Sequence, residues 1–274
     1  MARARHYAFA LAAAVVVCGL SPTKLEVEER ASPETGIAAP LLLGLGAHDP
    51  RSRLDPDKSP WRAVGKLQVP SIRSYQSCTA TLVAPLTVLT TAHCVFNPRT
   101  QRYHLPGSLH FLIGYDGSGY ARHALAIKLE TGKGYDPTRP RETIGSDWAL
   151  IILDTTLGSP DRVLPMLSEP PEIGNRVMLG GYQQDHPLIL TADIGCRIIG
   201  WATDAGGRLL HHNCTGTEGV SGAPLLMERD GKWYIVGVDV AAELGVASGF
   251  AVVLSTKLVD SSERAAPATP SSSD

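Results

Sequence analysis

Thr217-Glu218-Gly219-Val220-Ser221-Gly222-Ala223-Pro224 sets a serine between two glycines, closes with a proline and runs straight into the apolar segment Leu225-Leu226-Met227. Glycine adopts backbone conformations that a Cβ forbids, so a serine flanked in this way can stand on a sharp, exposed turn with its own amide facing outward. A nucleophile is presented like this, but an ordinary hairpin turn has the same composition. A serine hydroxyl also needs a base to take its proton, and that base needs an acceptor to fix its tautomer. The rest of the chain must supply both.

Two stretches do so. Cys78-Thr79-Ala80-Thr81-Leu82-Val83-Ala84-Pro85-Leu86-Thr87-Val88-Leu89-Thr90-Thr91-Ala92-His93-Cys94 reads as strand, hairpin and strand, and ends with a histidine beside a cysteine. Ser146-Asp147-Trp148-Ala149-Leu150-Ile151-Ile152-Leu153 places one carboxylate at the mouth of an otherwise apolar run, where it is partly buried and needs a partner. Taken singly, His93 is a packed turn histidine and Asp147 a residue that opens a strand. Taken with Ser221, they are a base, an acid and a nucleophile in the order His, Asp, Ser.

The chain has 274 residues, enough for a large core, and all-β folds of this size are common as a unit. Its 25 basic and 27 acidic residues nearly cancel and form no long block of one sign, which argues against nucleic acid or an anionic membrane as partner. With 27 glycines and 20 prolines beside few aromatics, short strands joined by turns are expected rather than long helices. Arg3 and Arg5 followed by the apolar run Phe9 to Val17 read as an export signal over 1–20; the run is too short to span a bilayer comfortably. A secreted or periplasmic protein with no membrane span in its mature form is expected. Removing Cys18 with the signal leaves Cys78, Cys94, Cys196 and Cys214, and an even number in an exported chain implies two disulfides. Three connectivities are open; pairing Cys78 with Cys94 and Cys196 with Cys214 closes one local loop in each half, worth about 3 kcal/mol apiece. No CxxC spacing appears, so no metal is expected.

Residues 21–60 mix Pro, Ser, Glu, Asp and Arg without sustained periodicity and read as a pro-segment or flexible arm. From Trp61 short apolar or alternating runs recur between Gly and Pro punctuation: 61–69, 77–83, 86–90, 108–114, 120–130 and 147–153. A second set follows at 174–182, 189–201, 208–212, 222–227, 232–240 and 248–255. The expected fold is therefore all-β, two consecutive six-stranded antiparallel units over 61–157 and 158–262, each able to close on itself and hide its edges. A cleft between them is the natural binding site. A short helix is allowed over 254–262, and the Pro/Ser/Ala tail at 263–274 is expected to be disordered.

Leu89-Thr90-Thr91-Ala92-His93-Cys94, Asp147-Trp148-Ala149-Leu150 and Gly219-Val220-Ser221-Gly222-Ala223-Pro224 together resemble the three signature regions of the chymotrypsin/trypsin-like serine endopeptidases. The resemblance runs from about Trp61 to Leu258 and implies two perpendicular six-stranded β-barrels with the site between them. It makes Ser221 the nucleophile, His93 the general base and then acid, and Asp147 the orienting carboxylate. It also places the oxyanion hole at the amides of Gly219 and Ser221. In the animal members an Asp before the serine pairs with a newly cut N-terminus; Val220 stands there and cannot. That departure resembles the bacterial branch containing the glutamyl endopeptidases. Cys214 also departs from the animal spacing, so the resemblance supports Cys78–Cys94 better than Cys196–Cys214.

The resemblance puts the specificity pocket at 212–217 and 236–242, with Thr215, Asp239, Val240 and Ala241 as its candidate residues. Asp239, alone in an apolar run, either points into the pocket and favours Arg or Lys, or lies on the outer face of its strand. The implied function is an exported serine endopeptidase acting on polypeptide substrates as a monomer without metal or cofactor. An inactive protease-fold binding protein is the alternative. An esterase of the Gly-x-Ser-x-Gly type is disfavoured, because a strand rather than a helix is expected after Ser221.

Overall fold

The computed structural model describes residues 41–70 and 75–254. The signal expected over 1–20, the arm before Leu41, the helix beyond Leu254 and the tail at 263–274 lie outside them. The described chain is all-β. Its strands are β1 (Ser52–Arg53), β2 (Val64–Pro70), β3 (Tyr75–Ala84), β4 (Thr87–Thr90), β5 (Phe96–Asn97), β6 (Arg102–Tyr103), β7 (His110–Ile113), β8 (Arg122–Thr131) and β9 (Ala149–Leu153). Then follow β10 (Met178–Gln183), β11 (His186–Asp193), β12 (Ile198–Asp204), β13 (Gly207–His212), β14 (Pro224–Arg229), β15 (Lys232–Ala242) and β16 (Gly249–Val252).

The first unit is a closed barrel in the order β2-β3-β4-β9-β8-β7. Its centre is β9, buried at every residue, as expected for a continuous apolar run flanked by two strands. β4 is buried throughout as well. The register Thr90↔Ala149 sets the residues just after β4 beside those just before β9, and these carry His93 and Asp147.

The second unit is an eight-stranded sheet, β1-β11-β10-β14-β15-β16-β13-β12. An antiparallel bridge between Arg176 and Arg197 joins the lead-in of β10 to that of β12, with Val177 N donating to Cys196 O at 3.0 Å and Ile198 N to Asn175 O at 3.1 Å. Strands β10, β14, β15, β16, β13 and β12 thereby form a ring of six, and β11 with β1 extends beyond it. The run 189–201, expected as one strand, is two, β11 and β12. The chain turns between them because Asp193 Oδ1 accepts Gly195 N at 3.0 Å and Cys196 is tied to Cys214; alternation of apolar residues across the turn hides the break.

The described part of the segment before Trp61 is not loose. Ser52 and Arg53 pair with Ala192 and Thr191, Leu43 bridges Leu244, and Gly44 receives Gly216 N at 3.1 Å while donating to Glu243 O at 2.7 Å. This part follows the second sheet before the chain enters the barrel. The principal core crosses the seam, joining barrel side chains such as Leu67, Phe111 and Ile151 to Tyr182, Leu226 and Val238 of the second unit.

Candidate active site

His93 opens a single 3-10 turn, His93–Val95, just beyond β4. The Cys78–Cys94 disulfide ties that turn back to β3. Asp147 ends the turn Ile144–Ser146 and is buried. Its two oxygens take separate tasks: Oδ1 accepts the backbone N–H of His93 at 2.9 Å, and Oδ2 lies 2.6 Å from Nδ1 of the ring. A carboxylate can only accept from Nδ1–H, so the remaining ring nitrogen, Nε2, is left with a lone pair. Thr91 Oγ1, 3.5 Å from Nε2, is its polar neighbour. Burial alone favours the neutral His93 ring, but the charge and hydrogen bond of Asp147, reinforced by the charge of Asp239, outweigh it and hold the pKa above the ordinary histidine value. The Asp147 turn is also fastened to the second unit, with Gly145 N bonded to Asp204 Oδ2 at 2.9 Å and Ser146 Oγ to Gly206 O at 2.7 Å.

Ser221 lies on the turn before β14, with Val220 N donating to Thr217 O at 3.1 Å and Ala223 N to Val220 O at 2.7 Å. Both flanking glycines have the left-handed conformation, Gly219 at φ +92° and Gly222 at φ +85°. A Cβ on Gly219 would lie 2.5 Å from Tyr182 O, and one on Gly222 would lie 2.2 Å from Thr79 O. No other residue fits either place without moving backbone.

The carbonyls of this turn face inward. Gln184 N bonds Glu218 O at 2.6 Å and Thr79 N bonds Ser221 O at 2.9 Å, while Thr79 Oγ1 donates to Gly219 O at 2.9 Å. In a trans peptide the N–H points opposite to the C=O. Anchoring Glu218 O and Val220 O therefore turns the amides of Gly219 and Ser221 the other way, and neither has an acceptor among the described residues. His93, Ser221 and Gly219 line one cleft of about 420 Å³, together with the Cys78–Cys94 disulfide, Gln184 and Glu218. The Ser221 hydroxyl has no hydrogen-bond partner among the described residues. Bonds of this kind are often long before substrate binds and tighten in the complex.

The candidate pocket residues are placed as follows. Thr215 is fully buried, its amide bonded to Asp193 Oδ2 at 3.0 Å and its hydroxyl without a partner among the described residues. Val240 is buried and Ala241 half-buried. Asp239 is only 2% exposed, so it is not on the outer face of β15; Oδ1 lies 3.0 Å from His212 Nε2. Cys214 N reaches His212 Nδ1 at 3.3 Å, which makes Nδ1 the acceptor and Nε2–H the donor to Asp239. Burial pushes the Asp239 carboxyl up, against the hydrogen bond from His212. Sequence reasoning did not single out Thr79 or the His212–Asp239 pair. For Thr79 the available signal was its place beside Cys78, and for the pair it was the lone carboxylate in an apolar strand.

Among the described residues, two clusters of His, Cys and carboxylate atoms lie close enough to bind a metal. In the first, Cys78 and Cys94 form the disulfide, which removes both thiolates. In the second, the Arg51 guanidinium bonds both Asp49 and Asp185.

The family model of the trypsin-like peptidase domain matches residues 78–238, more than half of the chain. The chain belongs to the trypsin-like serine peptidase family. Among solved structures it is similar to a Glu endopeptidase determined in complex with MPD, at 21% identity and a TM-score of 0.65, covering 80% of this chain and 98% of that one. It is also similar to a thermostable serine protease, AL20, from an extremophilic microorganism, at 18% identity and a TM-score of 0.58, covering 74% of this chain and 96% of that one. At these identities both likenesses are of fold. No curated protein matches the chain.

Thr79→Val keeps the shape of the side chain and removes the hydroxyl that serves Gly219 O and Tyr182 N. Two buried backbone groups lose their partner, so the expected cost is about 2 kcal/mol in urea unfolding. Peptide hydrolysis should lose more in kcat than it changes in KM. An unaltered unfolding midpoint together with wild-type kcat would show that the hydroxyl is dispensable.

Proposed function

We propose that the chain is an exported serine endopeptidase that cleaves polypeptides through an acyl-enzyme. Ser221 Oγ attacks the scissile carbonyl carbon as its proton passes to His93 Nε2, the ring nitrogen left free by Asp147. The amides of Gly219 and Ser221 receive the oxyanion, each such donor being worth about 3 kcal/mol of barrier. His93 then gives the proton to the departing amine, and a water repeats the sequence on the ester. The observation that carries this reading is the double grip of Asp147 on His93 in a cleft shared with Ser221 and Gly219.

Two disulfides fit an oxidising compartment. With the leader-like residues 1–20 they support secretion or a periplasmic location. Among the described residues no helix is long and apolar enough to cross a membrane.

Stoichiometric labelling of the mature protein by a fluorophosphonate, lost in Ser221→Ala, is the expected outcome; a wild-type protein that resists the probe would favour a protease-fold binding protein. The pH profile follows from the sign of the His93 shift. The base works only when neutral, and Asp147 favours the charged ring, so kcat/KM should fall as pH drops through a single ionisation lying above the ordinary value of 6.5. Asp147→Asn should move that midpoint down and lower kcat by about 10⁴-fold, the size typical when a triad acid becomes an amide. A midpoint that stays in place would separate Asp147 from the titration.

The pocket for the residue before the scissile bond is assigned to Thr215, Val240 and Ala241, with the Asp239–His212 pair behind it. Because the Asp239 carboxylate is buried and bound by His212, it does not select Arg or Lys. A peptide-library profile of Asp239→Ala should keep the wild-type preference; disappearance of a basic preference in that variant would reverse the assignment.

A further inference from the structure

Arg51 lies in the segment before the barrel, one residue ahead of β1, yet its side chain is 1% exposed. Its guanidinium donates through Nη2 to Asp49 Oδ2 at 2.8 Å and to Asp185 Oδ2 at 2.5 Å. Through Nη1 it reaches Gln183 Oε1 at 2.5 Å and Asp185 Oδ1 at 3.1 Å. Those two acceptors each hold Thr217 as well: Gln183 Oε1 takes the Thr217 amide at 2.7 Å, and Asp185 Oδ1 takes the Thr217 hydroxyl at 2.6 Å. Thr217 O in turn accepts Val220 N, the bond that shapes the turn carrying Gly219 and Ser221. Arg51 is thus the hub that fixes the root of that turn. Burial disfavours its charge, and the bonds from Asp49 and Asp185 more than restore it.

The geometry points to Arg51 as a positioning residue for the oxyanion-hole turn, and to the segment from Asp49 onward as an obligatory part of the mature chain. This rests on the reading of Gly219 and Ser221 as oxyanion donors. Val220 leaves no acid beside Ser221 to pair with a new N-terminus, and the Arg51–Asp185 ion pair orders the same turn from within the chain. No cut is needed to create it. A cut that releases Arg51 abolishes it, so N-terminal processing stops ahead of Asp49.

The misplaced amides affect the transition state more than the bound substrate, so kcat should carry the loss. In Arg51→Ala, kcat should fall about 100-fold, the scale of one lost oxyanion donor, with KM nearly unchanged. Millimolar guanidinium should restore part of the rate in Arg51→Ala and none in wild type, an effect that a generally weakened fold would not show. Arg51→Lys keeps the charge without the planar fork and should show the same split with a native melting temperature, which covers the case of an Arg51→Ala protein that does not fold. Wild-type kcat in a folded Arg51→Ala or Arg51→Lys, or absence of guanidinium rescue, overturns the positioning role while leaving the peptidase reading intact if wild type labels with fluorophosphonate. Failure of wild type to label overturns both. Mass analysis of the mature protein should find an N-terminus before Asp49, and an active form beginning after Arg51 would also overturn the inference.

Discussion

Thr79 holds the two halves of the site together. Its amide binds Ser221 O and its hydroxyl binds Gly219 O while accepting Tyr182 N, so one residue of β3 grips the Ser221 turn at two carbonyls. The grip is needed because of what makes the turn possible. The left-handed glycines on either side of Val220-Ser221 permit a shape that others cannot adopt, but glycine is equally free to leave it. A flipped peptide at Gly219 would point a carbonyl, not an amide, at the negative charge that the proposed mechanism develops in the cleft. Anchoring Glu218 O, Gly219 O and Ser221 O from three directions leaves a single arrangement, and the conformational freedom of the glycines is spent before substrate arrives.

The same seam aligns His93. His93 and Asp147 meet because Thr90 and Ala149 are paired, and the turn carrying Asp147 is fastened to the β12–β13 hairpin through Gly145 and Ser146. Each half of the molecule therefore holds a loop belonging to the other: β3 secures the Ser221 turn, and the second unit secures the Asp147 turn. Rotation of one unit against the other would stretch both sets of bonds at once. The shared core through Tyr182, Leu226 and Val238 makes such rotation costly by exposing apolar surface.

What was legible in the sequence was local. His93, Asp147 and Ser221 each stand at the mouth of an apolar run, and a polar residue in that setting announces itself. The six strands of the barrel were readable because Gly and Pro separate them. The break between β11 and β12 was not, since Ile194 and Ile198 continue the apolar pattern across a turn made by the Asp193 side chain. Arg51 was hidden for a different reason. Its neighbours are polar and aperiodic, and its partner Asp185 lies 134 positions away, so nothing nearby distinguishes it from a solvated arginine. Asp239 was conspicuous in its strand, but the ring that receives it belongs to β13, and alternation alone could not choose between pocket and surface.

The unmatched amides of Gly219 and Ser221 fall where irregular backbone is buried. Irregular segments normally run over the surface, because buried amides need acceptors that only regular structure supplies in series. The stretch from Asn213 to Ala223 is irregular and largely buried, and it meets the requirement by borrowing acceptors one at a time. Arg197 O takes Asn213 N, His212 takes Cys214 N, Asp193 takes Thr215 N, Gly44 O takes Gly216 N, Gln183 takes Thr217 N, and Asp239 O takes Gly222 N. Val220 and Ala223 find theirs within the turn. Among the described residues the amides left over are those of Glu218, which is exposed to water, and of Gly219 and Ser221. Leaving a buried donor unmatched costs about 1–3 kcal/mol, and these two part-buried amides bear a share of that cost while the fully buried amides of the stretch are matched. An acceptor arriving in the cleft recovers it, and recovers most when that acceptor carries full negative charge, since charge-assisted bonds are about twice as strong as neutral ones. On the proposed mechanism, the unmatched amides favour the tetrahedral intermediate over the planar carbonyl from which it forms.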